Sequence, residues 1–378
     1  MKIGIFIDNY YDTQRQKDPG VIADYLASFG HSVTVYCYAT DSAKSDSVKK
    51  ISKQQSNSAD FWKRENVDYI IIYSWLSLRF SQMIESLKQT QKKIILKLDS
   101  DGRLLYPFKP TYLRTLGRDN SLKQLAIHIV RLVQWHILFK NISLRKLKQL
   151  ELADAYIIES PRALDNLRKS LNRLNRSALI PRSHFIANPI NIQPSKGLLK
   201  ERENKIICVG RWNDKQKNAA GLRRVLKTIN FNDWTVEIIG EGAKEIKEYL
   251  SAYQEADKII AVPAVEHQLI SKHYETAKIF FCPSYFESFN LAAAEALACG
   301  CSLAGSPLES FHYFCDDDRF GTLSDNFKAE SLKKALQTEL IRWNEGRYRP
   351  EEIADYWRNK LSPETTTREI ETILMKLN

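Results

Sequence analysis

Short apolar runs alternate with helical patterns along most of the chain. In the first half, residues 3–7, 32–37, 69–73, 94–98, 155–159 and 184–187 read as strands, with helices over 20–29 and 78–88. These runs are continuously apolar, which fits strands covered on both faces, as in a parallel sheet. The pattern breaks at Asn188-Pro189, where a polar stretch with Pro194, Gly197 and a charge cluster at 200–205 begins. It then resumes: strands at 205–209, 235–239, 258–262, 278–282 and 302–304, and helices at 219–228, 267–275 and 291–299. The reading is α/β, with two doubly wound domains in series: 1–187, a linker over 188–204, a second domain over 205–345, and C-terminal helices over 346–378 that cross back to the first. At 378 residues and 43% hydrophobic, the chain is too long for one ordinary core. Two such sheets predict a central cleft at their carboxyl ends, where ligands of open α/β sheets bind.

Charge adds a second feature. The formal net charge is +11, and residues 102–150 hold ten basic residues against the single acid Asp119. Residues 121–150 read as a long helix with mixed apolar and basic positions; Arg131, His136 and Lys140 interrupt any run long enough to cross a bilayer. Two expectations stand side by side: the helix lies on an anionic membrane surface, or it packs within its domain with a solvated basic face. The N-terminal apolar run is too short for a signal peptide, so the expected location is cytoplasmic, with peripheral attachment to the inner membrane face. Six cysteines without metal-site spacing read as reduced core thiols, and His128 and His136 as packing residues. No nucleic-acid-binding signature is present in the sequence, and no nucleic-acid partner is expected.

The chemistry concentrates in the second half. Lys278 to Gly300 reads as strand, turn and alanine-rich helix, with Asn290 as N-cap and Gly300 as stop. Such a helix start presents amides and a positive dipole end to a phosphate. Glu295 lies among Ala, Leu and Cys, where an unpartnered charge is costly, and a ligand hydroxyl is a natural partner; Glu287 precedes the helix. Both could instead be a capping acid and a solvated helix residue. Upstream, Gly210-Arg211 ends a strand and Lys217 follows six residues later, a fork and a point charge that suit one diphosphate.

Gly210-Arg211, Lys217, Gly240-Glu-Gly242, Pro283-Ser284 and the Glu287/Glu295 pair together resemble family 4 of the retaining glycosyltransferases. Residues 20–35, Ala153 to Ser160 (ADAYIIES) and Asn188-Pro189-Ile190 carry weaker likeness across the rest. The resemblance implies the GT-B fold, two Rossmann-like domains facing a central cleft, with the second binding a nucleotide sugar, UDP-linked by expectation. It implies that Arg211 and Lys217 hold the diphosphate and stabilise the leaving group, that Glu287 holds donor-sugar hydroxyls and that Glu295 holds the ribose. Gly210, Gly240 and the amides of Ser288, Phe289, Asn290 and Leu291 would complete the donor site. It implies no metal or other cofactor, and an acceptor that is a glycan or lipid-linked, in cell-envelope or polysaccharide synthesis. A non-hydrolysing nucleotide-sugar epimerase of the same fold and a catalytically silent partner subunit are the alternatives.

The sequence departs from the family pattern in places. Ser288 and Asn290 stand where glycines are usual, and Pro19-Gly20 where the family has a glycine pair. Asp99 aligns with a histidine of the first domain, where an acid could act as base or orient the acceptor. Asp99-Ser-Asp101 also has the look of the metal-binding Asp-x-Asp of the other glycosyltransferase fold, GT-A, or of a plain polar turn.

Overall fold

The computed structural model describes residues 1–41, 47–104, 141–192 and 202–377. These fall into two compact units, one of residues up to 191 together with 362–377, the other of residues 192–361.

The first unit is built on seven strands: β1 (Lys2–Phe6), β2 (Ser32–Cys37), β3 (Val48–Lys50), β4 (Tyr69–Tyr73), β5 (Lys93–Leu98), β6 (Ala155–Ile158) and β7 (Ser183–Phe185). All pair in parallel, in the order β3-β2-β1-β4-β5-β6-β7. Alternation along each strand feeds two cores. Ile70, Ile72, Leu96 and Leu98 join one, and Tyr69, Ile71, Tyr73 and Ile95 the other. Every residue of β4 is buried, so the continuous apolar run does reflect a strand covered on both faces. Helix Pro363–Lys376 brings Ile370, Ile373 and Leu374 into the second of these cores.

The second unit carries β8 (Lys205–Val209), β9 (Thr235–Ile239), β10 (Ile259–Val262), β11 (Ile279–Cys282), β12 (Ser302–Gly305) and β13 (Gly321–Leu323), again all parallel, in the order β10-β9-β8-β11-β12-β13. In each unit the strand order reverses beside the first strand. In the second unit, β8 therefore has β9 on one side and β11 on the other, and the crevice outside their carboxyl ends is the switch point where such sheets bind ligands.

Several elements differ from the sequence expectations. Residues 78–88 split into a 3-10 turn, Leu78–Phe80, and a helix, Ser81–Lys88. Strands β3 and β13 and the helices Pro161–Arg173, Ala243–Tyr249, Glu309–Cys315 and Ala329–Asn344 were not expected. The two strands have three residues each, too short to show a period. Of the long basic helix expected over 121–150, residues 105–140 lie outside the described residues; residues 141–152 are helical and bury Leu147 and Leu150 in the first unit's core. All six cysteines are free and buried.

Candidate active site

The loops after β8 and β11 meet at the switch point of the second unit. Tyr285 donates its amide to the Gln216 carbonyl at 2.8 Å, and Asn218 Nδ2 donates to the Pro283 carbonyl at 3.0 Å. Asn218 adopts the left-handed conformation (φ 55°) and caps helix Ala219–Thr228, accepting from the Gly221 amide. This cap turns the chain just after Lys217 and fixes its direction.

Between the loops, Lys217 Nζ donates to Glu287 Oε1 at 2.7 Å, and Gln216 Nε2 donates to Glu287 Oε2 at 3.3 Å. Burial lowers the lysine pKa, but the Glu287 carboxylate outweighs it, and Lys217 is held above its ordinary value and stays charged. Gly210 lies against its stem: a Cβ there would come within 3.3 Å of Lys217 Cδ. Arg211 differs in kind. Its side chain is 74% exposed and pairs with Asp214 at 3.0 Å, a contact an anionic ligand can displace at little cost.

Gly240, after β9, supports the same loop from behind. Its φ of +119° and the Gly210 carbonyl 2.1 Å from where a Cβ would stand leave room for glycine alone. Trp212 adds two bonds, from its amide to the Glu241 carbonyl at 2.7 Å and from Nε1 to the Ile239 carbonyl at 3.1 Å.

After β11, helix Leu291–Ala298 starts from Asn290, which has φ 72° and accepts from the Ala293 amide at 3.0 Å. Asparagine is among the few side chains that tolerate this conformation, so it can stand where the sequence resemblance leads one to expect a glycine without breaking the turn. Phe289 is buried edge-on against Phe314, which anchors the backbone of Ser288 to Leu291 ahead of the helix. Glu295 is buried, as the sequence suggested. Its partner is a residue the sequence reading passed over: His267 Nε2 lies 2.7 Å from Glu295 Oε1. Nothing in the spacing of 28 residues between them announces the contact. The two acids therefore sit in separate settings, Glu287 with Lys217 and Gln216, Glu295 with His267.

In the first unit, Asp99 follows β5 at the sheet's carboxyl edge. Its Oδ2 accepts from Trp75 Nε1 at 2.9 Å. Asp101 is engaged in its own turn, Oδ1 accepting from the Arg103 amide and its carbonyl from Asn166 Nδ2. Behind Asp99 lies a buried cluster that the sequence reading did not find. Lys97 Nζ faces Glu159 Oε1 at 3.0 Å, Asp18 Oδ2 at 3.4 Å and the Asn188 side-chain oxygen. The available signal was a lysine inside an otherwise apolar strand.

Comparison with known proteins adds what the geometry leaves open. Residues 190–354 match the family model described as glycosyl transferases group 1. Over these residues, somewhat less than half of the chain, the protein is similar to the group 1 glycosyltransferases. The chain is 27% identical over 147 residues to an uncharacterized 41.2 kDa protein in the cps region of Klebsiella pneumoniae, a match spanning 39% of each chain. Its fold is similar to that of Anabaena Alr3699/HepE, solved in complex with UDP and glucose, with a TM-score of 0.71 at 11% identity over 99% of both chains. It is also similar to WaaG, a glycosyltransferase involved in lipopolysaccharide biosynthesis, with a TM-score of 0.61 at 13% identity over 97% of this chain and 98% of that one. The fold of the chain is GT-B, with two parallel-sheet α/β domains.

Proposed function

We propose that the protein transfers a sugar, with retention of configuration and without a metal, from a UDP-sugar to a glycan or lipid-linked acceptor. The observation that carries this reading is the convergence of Arg211, the Lys217–Glu287 pair and the start of helix Leu291–Ala298 at the β8/β11 switch point. Two cations and a helix N-terminus there match the negative charge that develops on a departing diphosphate. In this reading Lys217 and Arg211 hold the diphosphate, and the backbone of Ser288 to Leu291 adds amides. Glu287 takes donor-sugar hydroxyls on the carboxylate face left free by Lys217. Glu295 takes the ribose hydroxyls, which are donors like the imidazole now beside it. UDP as the nucleotude is supported by the Anabaena structure, which holds UDP and glucose on the same fold. The likeness to WaaG favours a cell-envelope acceptor.

Asp99, at the carboxyl edge of the first unit's sheet, is proposed to orient the acceptor hydroxyl. Membrane attachment of the basic segment 102–150 enters the proposal through Leu144 and Arg145, which are exposed beside the Lys148–Glu85 pair. Sedimentation with anionic vesicles that falls with salt would support it, and equal recovery with neutral vesicles would remove it. The central test is a nucleotide panel: UDP should raise the melting temperature above GDP, ADP and CMP, and a UDP-sugar should be consumed only when an acceptor is present. Conversion of the nucleotide sugar without an acceptor would point to an epimerase, and no response to any nucleotide to a silent subunit.

A further inference from the structure

Parallel pairing of β5 with β6 sets Lys97 against Ile157 and Leu98 against Ile158, so the next register step sets Asp99 against Glu159. The two acids thus emerge side by side from adjacent strands. Glu159 is 2% exposed; its Oε1 accepts from Lys97 Nζ at 3.0 Å and from Asn188 Nδ2 at 2.8 Å. Its Oε2 is buried with no donor among the described residues, and the same is true of Asp99 Oδ1. The lysine cannot serve either oxygen, because its three protons face Glu159 Oε1, Asp18 and Asn188. Two orphaned carboxylate oxygens on neighbouring strands are costly as a pair of anions, and a single proton between them satisfies both.

We infer that Glu159 is held as the neutral acid and donates a hydrogen bond from Oε2 to Asp99 Oδ1, which makes it a positioning residue for the Asp99 carboxylate. Trp75 Nε1 fixes the other oxygen, so Asp99 is clamped from two sides. The proton belongs on Glu159 because that side chain is the more deeply buried, while Asp99 reaches the sheet edge. The electrostatics agree. Burial first, and then Asp99 and Asp18, push the Glu159 pKa well above its ordinary 4.5, against the pull of Lys97. Asp18 is raised by burial too, and Tyr73, whose ring lies 5.3 Å from Lys97 Nζ, is kept neutral by burial and these acids. Three carboxylates around one ammonium leave an excess of negative charge, which a held proton reduces.

The effect on turnover rests on the proposed role of Asp99; the held proton does not. The experiment therefore has two arms, both on the full chain. In the first, carboxyl carbon NMR of glutamate-labelled protein, with Glu159 assigned by its absence in Glu159→Gln, should show a protonated Glu159 at neutral pH. An ionised Glu159 there would overturn the inference. In the second, Glu159→Gln, whose amide donates where the acid did, should keep kcat within about threefold of wild type. Glu159→Leu should lower kcat by roughly tenfold or more, the scale of one lost hydrogen bond expressed in a transition state. The Gln variant should also lose the decline in stability that wild type shows as pH rises through the Glu159 pKa. Gln as damaging as Leu would sink the hydrogen-bond role. A neutral Glu159 with undiminished kcat in a folded Glu159→Leu protein would overturn the positioning role and the acceptor reading of Asp99 while leaving the donor-site assignment intact.

Discussion

The Lys217 ammonium stands 2.7 Å from the Glu287 carboxylate, each side chain largely buried and each on the loop after a different strand. The pair ties together the two loops that form the switch point, so its members have structural as well as chemical weight. Arg211, exposed and paired among the described residues with Asp214 alone, does not. Lys217→Ala should therefore lower stability by about 1–3 kcal/mol, because it leaves a buried carboxylate without its charged donor. Arg211→Ala should stay within about 0.5 kcal/mol of wild type. Both should lower turnover by roughly two orders of magnitude or more, as expected when preorganised charge on a leaving group is lost. Denaturant melts and steady-state rates on the two variants separate these effects. Wild-type turnover in either folded variant would remove it from the diphosphate site.

Glu287 and Glu295 should fail differently. Glu287→Gln keeps the shape and the bond from Lys217 but loses charge, and should impair use of the UDP-sugar more than binding of UDP. Glu295→Ala should weaken UDP binding itself. Calorimetric titration of both variants with UDP checks the division, and an unchanged UDP affinity in Glu295→Ala would contradict the ribose assignment.

His267 gives a sharper version of that test. It lies 2.7 Å from a Glu295 oxygen whose side chain is buried, so His267→Ala leaves a buried acceptor unpaired and should cost about 1–3 kcal/mol in the free protein. If ribose hydroxyls take over the carboxylate, saturating UDP should shrink that cost. Melting curves with and without UDP measure it; an equal deficit in both would place the ribose elsewhere.

The sequence made the strands legible wherever burial on both faces left a continuous apolar run, as in Tyr69–Tyr73 and Ile279–Cys282. It also brought forward the residues proposed for the donor site, because a strand end, a turn and a helix start each have local signatures. Partnerships were not legible. His267 meets Glu295 through packing of two helices, and Lys97 meets Asp18 and Glu159 across strands and a helix start, contacts between residues far apart in sequence. Local pattern carries no record of such pairing. Asn290 shows the reverse case: read as a departure from a glycine, it adopts a left-handed backbone, at φ 72°, of the kind glycine favours.

Gly240 should tolerate no side chain. With φ +119° and the Gly210 carbonyl 2.1 Å from the Cβ position, Gly240→Ala strains its own backbone and displaces Gly210, the residue beside Arg211. A loss of about 1–3 kcal/mol in stability should come with weaker UDP binding. Gly346, also at positive φ but with no atom of the described residues within 4 Å of its Cβ position, is the control: Gly346→Ala should carry conformational strain without altering UDP affinity.

The last expectation concerns metal. The positive charge proposed for the leaving diphosphate comes from Arg211, Lys217 and the start of helix Leu291–Ala298, so turnover should persist in excess chelator. The Asp-x-Asp alternative would need Asp99 and Asp101 to share a cation. Their present contacts diverge: Asp99 Oδ2 takes the Trp75 indole, while Asp101 Oδ1 takes the Arg103 amide within its own turn. Asp99→Asn should accordingly lower kcat without changing UDP affinity, since its proposed work lies with the acceptor. Asp101→Asn should leave kcat within about threefold, because its amide oxygen can still accept from the turn, and a surface change of this kind is usually mild. Loss of activity in EDTA with recovery on manganese, together with weakened UDP binding in both variants, would transfer the nucleotide site to the first unit and reverse the assignment.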